Sequence, residues 1–172
     1  IDDKLGTQMR AVGEVMSIGK SYKEGLQKAV RSLESGRYGL GFALDFNSLS
    51  LDELMRRLSV PTSERQFLLY EALRKGADID ELYAKTSIKP WFLHQMKELV
   101  DLEEELLAHQ GGSLPDDLLR RAKLDGFADV YLARLLDLPE KEIREQREAQ
   151  GLVEGWQPVP VSGVQAAYYY YS

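Results

Sequence analysis

The side chains that could support acid–base or metal chemistry are two histidines and an acidic run, all on one predicted helix. His94 and His109 are fifteen residues apart, and the sequence contains no cysteine. This spacing lacks the one-turn separation with which two helical histidines bind zinc, so we interpret them as surface or helix-packing residues. The run of Asp101 and 103–105 could be mistaken for paired catalytic carboxylates. On a helix these positions spread around the exposed side and predict a solvated face.

Phosphate-binding and nucleophile motifs are also missing from the sequence. Gly36, Gly39 and Gly41 lie close together, but they lack the following lysine and the strand–loop–helix setting of a phosphate-binding loop. Neither a G-x-S-x-G elbow nor a dinucleotide fingerprint is present. The sequence therefore predicts no catalytic, cofactor-binding or metal-ligating residue in this chain.

The overall composition narrows the class of protein. The 172 residues suffice for one domain, or one small domain with flanking segments, and 44% hydrophobic residues predict a real core. A net charge of −6 argues against a protein that binds nucleic acid through its phosphates. The lack of cysteine excludes a disulfide framework and favours a reducing compartment. No apolar run predicts a membrane span and no signal peptide is seen, while both ends resemble cuts through a longer polypeptide.

The N-terminal part predicts a strand followed by a helix. In residues 11–19 the alternation leaves strand and helix open, and the β-branched residues and glycines favour a strand. Glu14 interrupts the apolar set, either as a buried ion-pair partner or as an edge residue with its carboxylate in water. Ser21 and Glu24 form a capping box, and the helix that it opens should end near Gly36.

A connector over residues 36–50 has alternating apolar residues and must lie against an apolar surface. Ser50 and Glu53 then form a second capping box before a helix of under three turns, which needs docking to be stable. It docks either into its own domain or onto a second copy. The candidate self-association surface comprises Leu51, Leu54, Met55, Leu58, Phe42 and Phe46.

The rest of the chain predicts helices, so the fold class is mainly α. Their boundaries follow from caps, prolines and glycines, and the helices cover about 63–75, 78–85, 90–109, 115–125, 127–136 and 139–150. A weak repeat at an offset of fifty relates Gly76, Leu82 and Ile88 to Gly126, Leu132 and Leu138. Each copy is a short helix, a tight turn and a longer helix.

Three stretches resemble one family in the same order. They are TQMRAVGEVMSIGKSYKEGLQKAVRSLE at 7–34, KTSIKPWFLHQMKELVDLEEEL at 85–106 and LRRAKLDGFADVYLARLLDLPEKEIREQREAQGL at 119–152. The family that they resemble is the large subunit of carbamoyl phosphate synthetase. The tail AAYYYYS at 166–172 is similar to the linker that enters the second synthetase half, whereas residues 38–60 match no fixed pattern.

The resemblance implies three segments. Residues 1–36 would be the C-terminal strand–helix remnant of the α+β ATP-grasp domain that makes carboxyphosphate. Residues 37–151 would be a helical oligomerisation domain of about seven helices, and 152–172 the linker toward the second half. Trp91 and Phe92, with Leu93, cover more than one helix face, so they pack in the core or against the flanking catalytic domain. With Glu14, Trp91 and Phe92 are the candidates for interdomain packing.

The same resemblance implies the activity of a parent enzyme. It is a cytoplasmic ligase of arginine and pyrimidine biosynthesis that makes carbamoyl phosphate from bicarbonate, glutamine-derived ammonia and two ATP. It uses ATP with magnesium or manganese, and potassium, and its partners are the rest of the large subunit and a glutamine amidotransferase small subunit. The family's ATP- and metal-binding residues lie upstream and downstream, so this segment would space the two halves, support self-association and have no activity alone.

Two other functions compete with this one. The short helix, turn and longer helix at 127–150 resemble a helix-turn-helix DNA reader. The supposed recognition helix carries Lys141, Arg144 and Arg147 against four glutamates, which fits a phosphate backbone poorly. The remaining alternative is an acidic, all-helical interaction domain without a parent enzyme.

Overall fold

Eight α-helices account for most of the regular secondary structure in the described residues, which agrees with the mainly α prediction. The computed structural model describes residues 4–7, 14–42, 46–153, 155–158 and 169–171. Within them the helices are α1 (Tyr22–Ser32), α2 (Leu51–Leu58), α3 (Arg65–Arg74), α4 (Ile79–Thr86), α5 (Pro90–Leu107), α6 (Asp116–Leu124), α7 (Asp129–Leu136) and α8 (Glu140–Ala149). A 3-10 turn covers Phe46–Ser48, and β1 (Trp156–Pro158) pairs antiparallel with β2 (Tyr169–Tyr171).

The predicted helix starts are confirmed by their caps. Ser21 Oγ accepts the backbone N–H of Glu24 at 3.2 Å, and Ser50 Oγ accepts that of Glu53 at the same distance. Asp78 Oδ1 accepts the N–H groups of the third and fourth residues of its turn, at 2.9 and 3.1 Å. These bonds satisfy donors that the first helical turn leaves without an intrahelical partner, so they fix where each helix begins.

The weak sequence repeat corresponds to a repeated backbone structure. Gly76 ends α3 with φ +85° and Gly126 ends α6 with φ +92°. In both copies the residue after the glycine donates its N–H to the carbonyl five positions back, at 2.9 and 3.0 Å. Fifty residues also separate Ser87 and Asp137, which end α4 and α7 in the left-handed region at φ +58° and +55°. The two copies are therefore the same arrangement of helix stops.

Helix α5 lies at the centre of the molecule. It packs against α1, α3, α4 and α7, while α2 packs against α3 and α4. Its buried face follows the helical period and comprises Leu93, Met96, Leu99, Val100, Leu102, Glu103 and Leu106. One continuous core results, and it also takes in α1 through Val30.

The strand predicted over 11–19 is not formed by residues 14–19, and residues 11–13 lie outside the described part. A strand requires a neighbouring strand for its backbone groups, and the described residues provide none beside this segment. Side chains attach it to α1 instead. Ser17 Oγ donates to the Gly25 carbonyl at 2.6 Å, and the Lys20 N–H donates to Glu24 Oε2 at 2.6 Å.

Gly76 and Gly126, the glycines that end α3 and α6, should differ in how well they tolerate a side chain. An added Cβ at Gly76 meets nothing within 4 Å, so Gly76→Ala costs only the left-handed backbone, about 1–2 kcal/mol. At Gly126 the same carbon would lie 3.0 Å from the Cα of Glu24, so Gly126→Ala should cost about 1–3 kcal/mol more. Urea unfolding of the two variants measures the difference. Equal losses would show that α1 is not held against this turn.

Candidate functional site

A buried carboxylate joins three helices at the centre of the fold. Glu103 of α5 is fully buried, and its Oε2 accepts the hydroxyl of Tyr70 from α3 at 2.6 Å and that of Tyr131 from α7 at 2.8 Å. The guanidinium Nη1 of Arg74 lies 3.9 Å from Oε1. The solvated face predicted for the acidic run is correct for Asp101 and 104–105, but it is wrong for Glu103. Glu103 shares the apolar face of α5, which forces it inward.

Burial controls the protonation of this cluster. It raises the pKa of Glu103, against the two tyrosine hydrogen bonds and the Arg74 charge, which lower it. Burial, followed by the nearby Glu103 charge, raises the pKa of Tyr70 and of Tyr131 well above the usual 10.0. Both phenols therefore stay protonated and act as donors to the carboxylate.

The loop over residues 37–42 lies directly on this cluster, and its glycines make that approach feasible. A Cβ on Gly39 would lie 2.7 Å from the Tyr131 ring, and one on Gly41 would lie 2.5 Å from Glu103 Oε1. No side chain fits at either position, so the glycines serve close packing. From the sequence, Glu103 was assigned to the solvated acidic run, and neither Tyr70 nor Tyr131 was singled out. The only sequence signal for the burial of Glu103 was its position four residues after Leu99 and three before Leu106, on the apolar face of the helix.

The same loop presents two exposed aromatic side chains, Tyr38 and Phe42, which we call the loop surface. The Arg134 guanidinium lies 4.7 Å from the centre of the Tyr38 ring. The Phe42 ring meets the Tyr131 ring edge-on at 6.0 Å, yet 45% of Phe42 is exposed. Phe42 also has φ +51°, an unfavourable conformation for an aromatic residue. The packing beneath the loop thus holds an apolar ring in solvent at a backbone cost.

The six residues predicted as a self-association surface do not form one surface. Leu54 and Leu58 are fully buried within the core, on the side of α2 that packs on its own chain. Phe46 is also buried, with the Arg37 guanidinium 5.9 Å from its ring centre. The short helix therefore docks into its own domain. Of the six, Leu51 and Met55 are half-buried and Phe42 is exposed, so these three alone can meet another molecule.

A second exposed aromatic cluster lies where α1 meets the start of α5, and we call it the aromatic patch. Tyr22 packs edge-on against Trp91 at 5.5 Å and against Phe92 at 5.2 Å. Trp91 is 56% exposed and Phe92 is also exposed, whereas Leu93 is in the core. Glu14 is exposed in the segment before α1, which agrees with the solvent-facing alternative rather than the buried ion pair.

The structure gives no support to a DNA-reading helix at α8. Arg144 binds Glu140 at 3.0 Å, and Lys141 lies 3.5 Å from Glu145. Arg147 is buried, with its Nε donating to Asp129 at 3.0 Å. The cations of this helix are thus engaged within the chain, unlike those of a phosphate-binding surface.

The described residues contain neither a cluster of potential metal ligands nor a helix suited to crossing a membrane. Within the described ranges, no three His, Asp or Glu side chains lie together as a potential metal site. None of the helices in the described residues has both the length and the apolar composition needed to cross a bilayer.

Comparison with known proteins gives a consistent match. The sequence-family model for the oligomerisation domain of the carbamoyl-phosphate synthetase large chain matches residues 14–151. The chain is 41% identical over 152 residues to the carbamoyl phosphate synthase large chain of Archaeoglobus fulgidus, covering 86% of this chain and 14% of that protein. It is 41% identical over 174 residues to the N-terminal section of the large chain of Aquifex aeolicus, covering 99% of this chain and 30% of that protein. The large chain of Pseudomonas syringae pv. tomato is 42% identical over 147 residues, with 85% and 14% covered.

The buried carboxylate should make stability depend on pH. Its raised pKa means that the folded chain retains a proton that the unfolded chain releases above the ordinary value of 4.5. The contribution of Glu103 to stability is thus fully present below about pH 4.5 and is lost as pH rises through the raised pKa. Urea unfolding at a series of pH values measures this effect. As the pH rises, the free energy of unfolding of the wild type should fall relative to that of Glu103→Gln, because the glutamine does not titrate.

A second variant tests the cause of that dependence. Tyr131→Phe removes one of the two donors to the carboxylate, so the pKa of Glu103 should rise further and the loss should extend to higher pH. A difference between wild type and Glu103→Gln that is independent of pH would contradict the assignment.

Proposed function

Because the chain belongs to the carbamoyl-phosphate synthetase large-chain family, in the part matched by its oligomerisation domain, we propose that it is a structural segment of such a large chain. In this role it spaces the two ATP-grasp halves and supports self-association. The chain spans 14–30% of the length of these relatives. One observation carries the proposal: a single helical core holds aromatic side chains exposed on its surface.

The activity of the whole enzyme belongs to the same proposal. The parent makes carbamoyl phosphate from bicarbonate, glutamine-derived ammonia and two ATP, with magnesium or manganese and potassium. It is cytoplasmic and has a glutamine amidotransferase small subunit as its partner. The matched relatives are carbamoyl phosphate synthase large chains, which supports this assignment. The chemistry would take place in the parts of the large chain on either side of this segment.

Self-association is supported by the loop surface. Phe42 is apolar, exposed and held in a left-handed conformation by the packing of Gly41 on Glu103 and Tyr131. Such a residue costs free energy in the isolated chain, and burial against a second copy would recover apolar area. Leu51 and Met55 are the other predicted residues with accessible area. We place the contact with a second copy at Phe42.

Contact with the rest of the large chain is supported near the aromatic patch. Besides Trp91 and Phe92, the segment before α1 exposes Val15, Met16 and Ile18, with Met16 88% exposed. Exposed apolar side chains in this number indicate a contact site. We assign this region to packing against the neighbouring part of the large chain.

A charge at Phe42 should break self-association without unfolding the chain. Asp tolerates the left-handed backbone, so Phe42→Asp keeps the loop conformation while it places a carboxylate in the interface. Sedimentation equilibrium should show association weakened, with a dissociation constant at least about tenfold higher than that of wild type. Leu124→Asp, at an exposed apolar residue of α6, is the control and should associate as wild type does. Equal association of Phe42→Asp and wild type would exclude this surface.

The N-terminal apolar residues should matter only in the whole large chain. Met16→Ser with Ile18→Ser should leave the urea unfolding of this chain within about 0.5 kcal/mol of wild type, since both side chains are exposed here. In the full-length large chain, the same pair should lower the unfolding midpoint. Val153→Ser, at another exposed apolar residue, is the control in both proteins. An unchanged midpoint in the full-length protein would disprove the proposed packing.

A further inference from the structure

The Tyr131 hydroxyl connects the buried carboxylate to the loop surface. It donates to Glu103 Oε2 at 2.8 Å. The backbone of Gly41 hydrogen-bonds the same hydroxyl, a contact that lowers the pKa of Tyr131 against the effect of burial. The Phe42 ring packs edge-on against the Tyr131 ring at 6.0 Å. One side chain of α7 thus contacts the carboxylate, the loop backbone and the exposed ring.

The other oxygen of the carboxylate lies under the loop without a hydrogen bond. Within the described residues, Glu103 Oε1 is buried and has no hydrogen-bond partner. Arg74 Nη1 is 3.9 Å from it, which is too far for a hydrogen bond. On the loop side, a Cβ on Gly41 would lie 2.5 Å from this oxygen. The loop backbone therefore covers an oxygen that no described group solvates through a hydrogen bond.

The free energy cost of this cover depends on the proton. An ionised oxygen that loses its hydration without gaining a hydrogen bond is costly to bury, whereas a neutral carboxyl group costs much less. Moving the loop away would let water reach Oε1 and would relieve that cost. Ionisation therefore favours an open loop, and protonation favours the closed loop. Burial raises the pKa of Glu103, which agrees in direction.

Glu103 is surrounded by other groups that carry charge or can titrate. On α3 these are Tyr70, Glu71 and Arg74, on α5 Glu104, on α7 Tyr131 and Arg134, and in the loop Arg37 and Tyr38. The arginines stay charged across the ordinary pH range, and burial, by raising the pKa of Tyr70 and Tyr131, keeps both phenols protonated. Glu71 and Glu104 each pair with Arg74, at 3.6 and 3.2 Å. Of the three carboxylates, Glu103 is the one that Gly41 covers.

We propose that protonation of Glu103 closes the loop over residues 37–42 and thereby strengthens the self-association placed at Phe42. This inference rests on the proposed function. In the closed loop, the Phe42 ring is fixed in solvent at φ +51°. When Glu103 ionises, the loop opens and the ring loses that position, so association must first close the loop and return the proton. Because association takes up protons, the dissociation constant rises with pH.

Amide hydrogen exchange at Gly41 tests the coupling of the proton to the loop without any requirement for association. Wild type and Glu103→Gln are compared as dilute monomers from about pH 5.5 to about pH 8.5. The glutamine stays neutral at every pH, and both histidines are retained. As the pH rises, protection of Gly41 in wild type should fall at least about threefold below that in the variant. Equal protection in the two proteins at every pH would overturn the proposal.

The two tyrosines provide a matched pair of variants that does not depend on the glutamine. Tyr70→Phe and Tyr131→Phe each remove one donor to Glu103 Oε2, but of the two only Tyr131 also contacts Gly41. Tyr70→Phe should keep the protection of Gly41 at low pH and shift its loss to higher pH, because the pKa of Glu103 rises further. Tyr131→Phe should lower the protection at every pH. Equal protection in both variants at low pH would show that Tyr131 does not couple Glu103 to the loop.

Sedimentation equilibrium then tests the effect on association. The dissociation constant of wild type should rise at least about tenfold more than that of Glu103→Gln over the same pH range. A chain that is monomeric at every pH would refute the proposed self-association, and its regulation with it. Association with the same pH dependence in wild type and the variant would refute the regulation alone.

Discussion

The fold depends on the stabilisation of one buried negative charge. A carboxylate without partners in a core would cost several kcal/mol, so Glu103 requires donors on each side of α5. The donors come from Tyr70 on α3 and Tyr131 on α7, which ties the two neighbours of α5 to one oxygen atom. Gly39 and Gly41 then bring the loop onto the same atoms. The positions of three helices and of the exposed Phe42 ring thus follow from one constraint.

This constraint also breaks the internal repeat. The two copies share their glycine stops and left-handed residues at an offset of fifty. The residue fifty positions after Glu103 is Val153, which lies beyond the end of α8 at Ala149. The second copy therefore has no counterpart of the buried carboxylate. Helix α5 has 18 residues and α8 has 10, and it is α5 against which α1, α3, α4 and α7 pack.

The sequence predicted the helix starts well, but it did not predict which side chains pack together across the fold. Ser21, Ser50 and Asp78 marked helix starts correctly because a cap acts within one turn. Glu103 was assigned to solvent because its tyrosine partners are 33 and 28 residues away in the chain. Leu54 and Leu58 were offered as an interface because an apolar stripe does not reveal which surface covers it. The predicted division at residue 36 and the role of the tail stay predictions.

Helix α1 joins the aromatic patch to the turn between α6 and α7. Lys23 bridges Glu98 of α5 and Asp125 after α6, each at 2.9 Å, and Gln27 donates to the Asp125 carbonyl at 2.9 Å. One end of α1 carries Tyr22 of the aromatic patch, and Arg31 near its other end donates to the Gly126 carbonyl in the turn between α6 and α7. Helix α1 therefore fixes the aromatic patch relative to the turn at Gly126, whose backbone lies against Glu24.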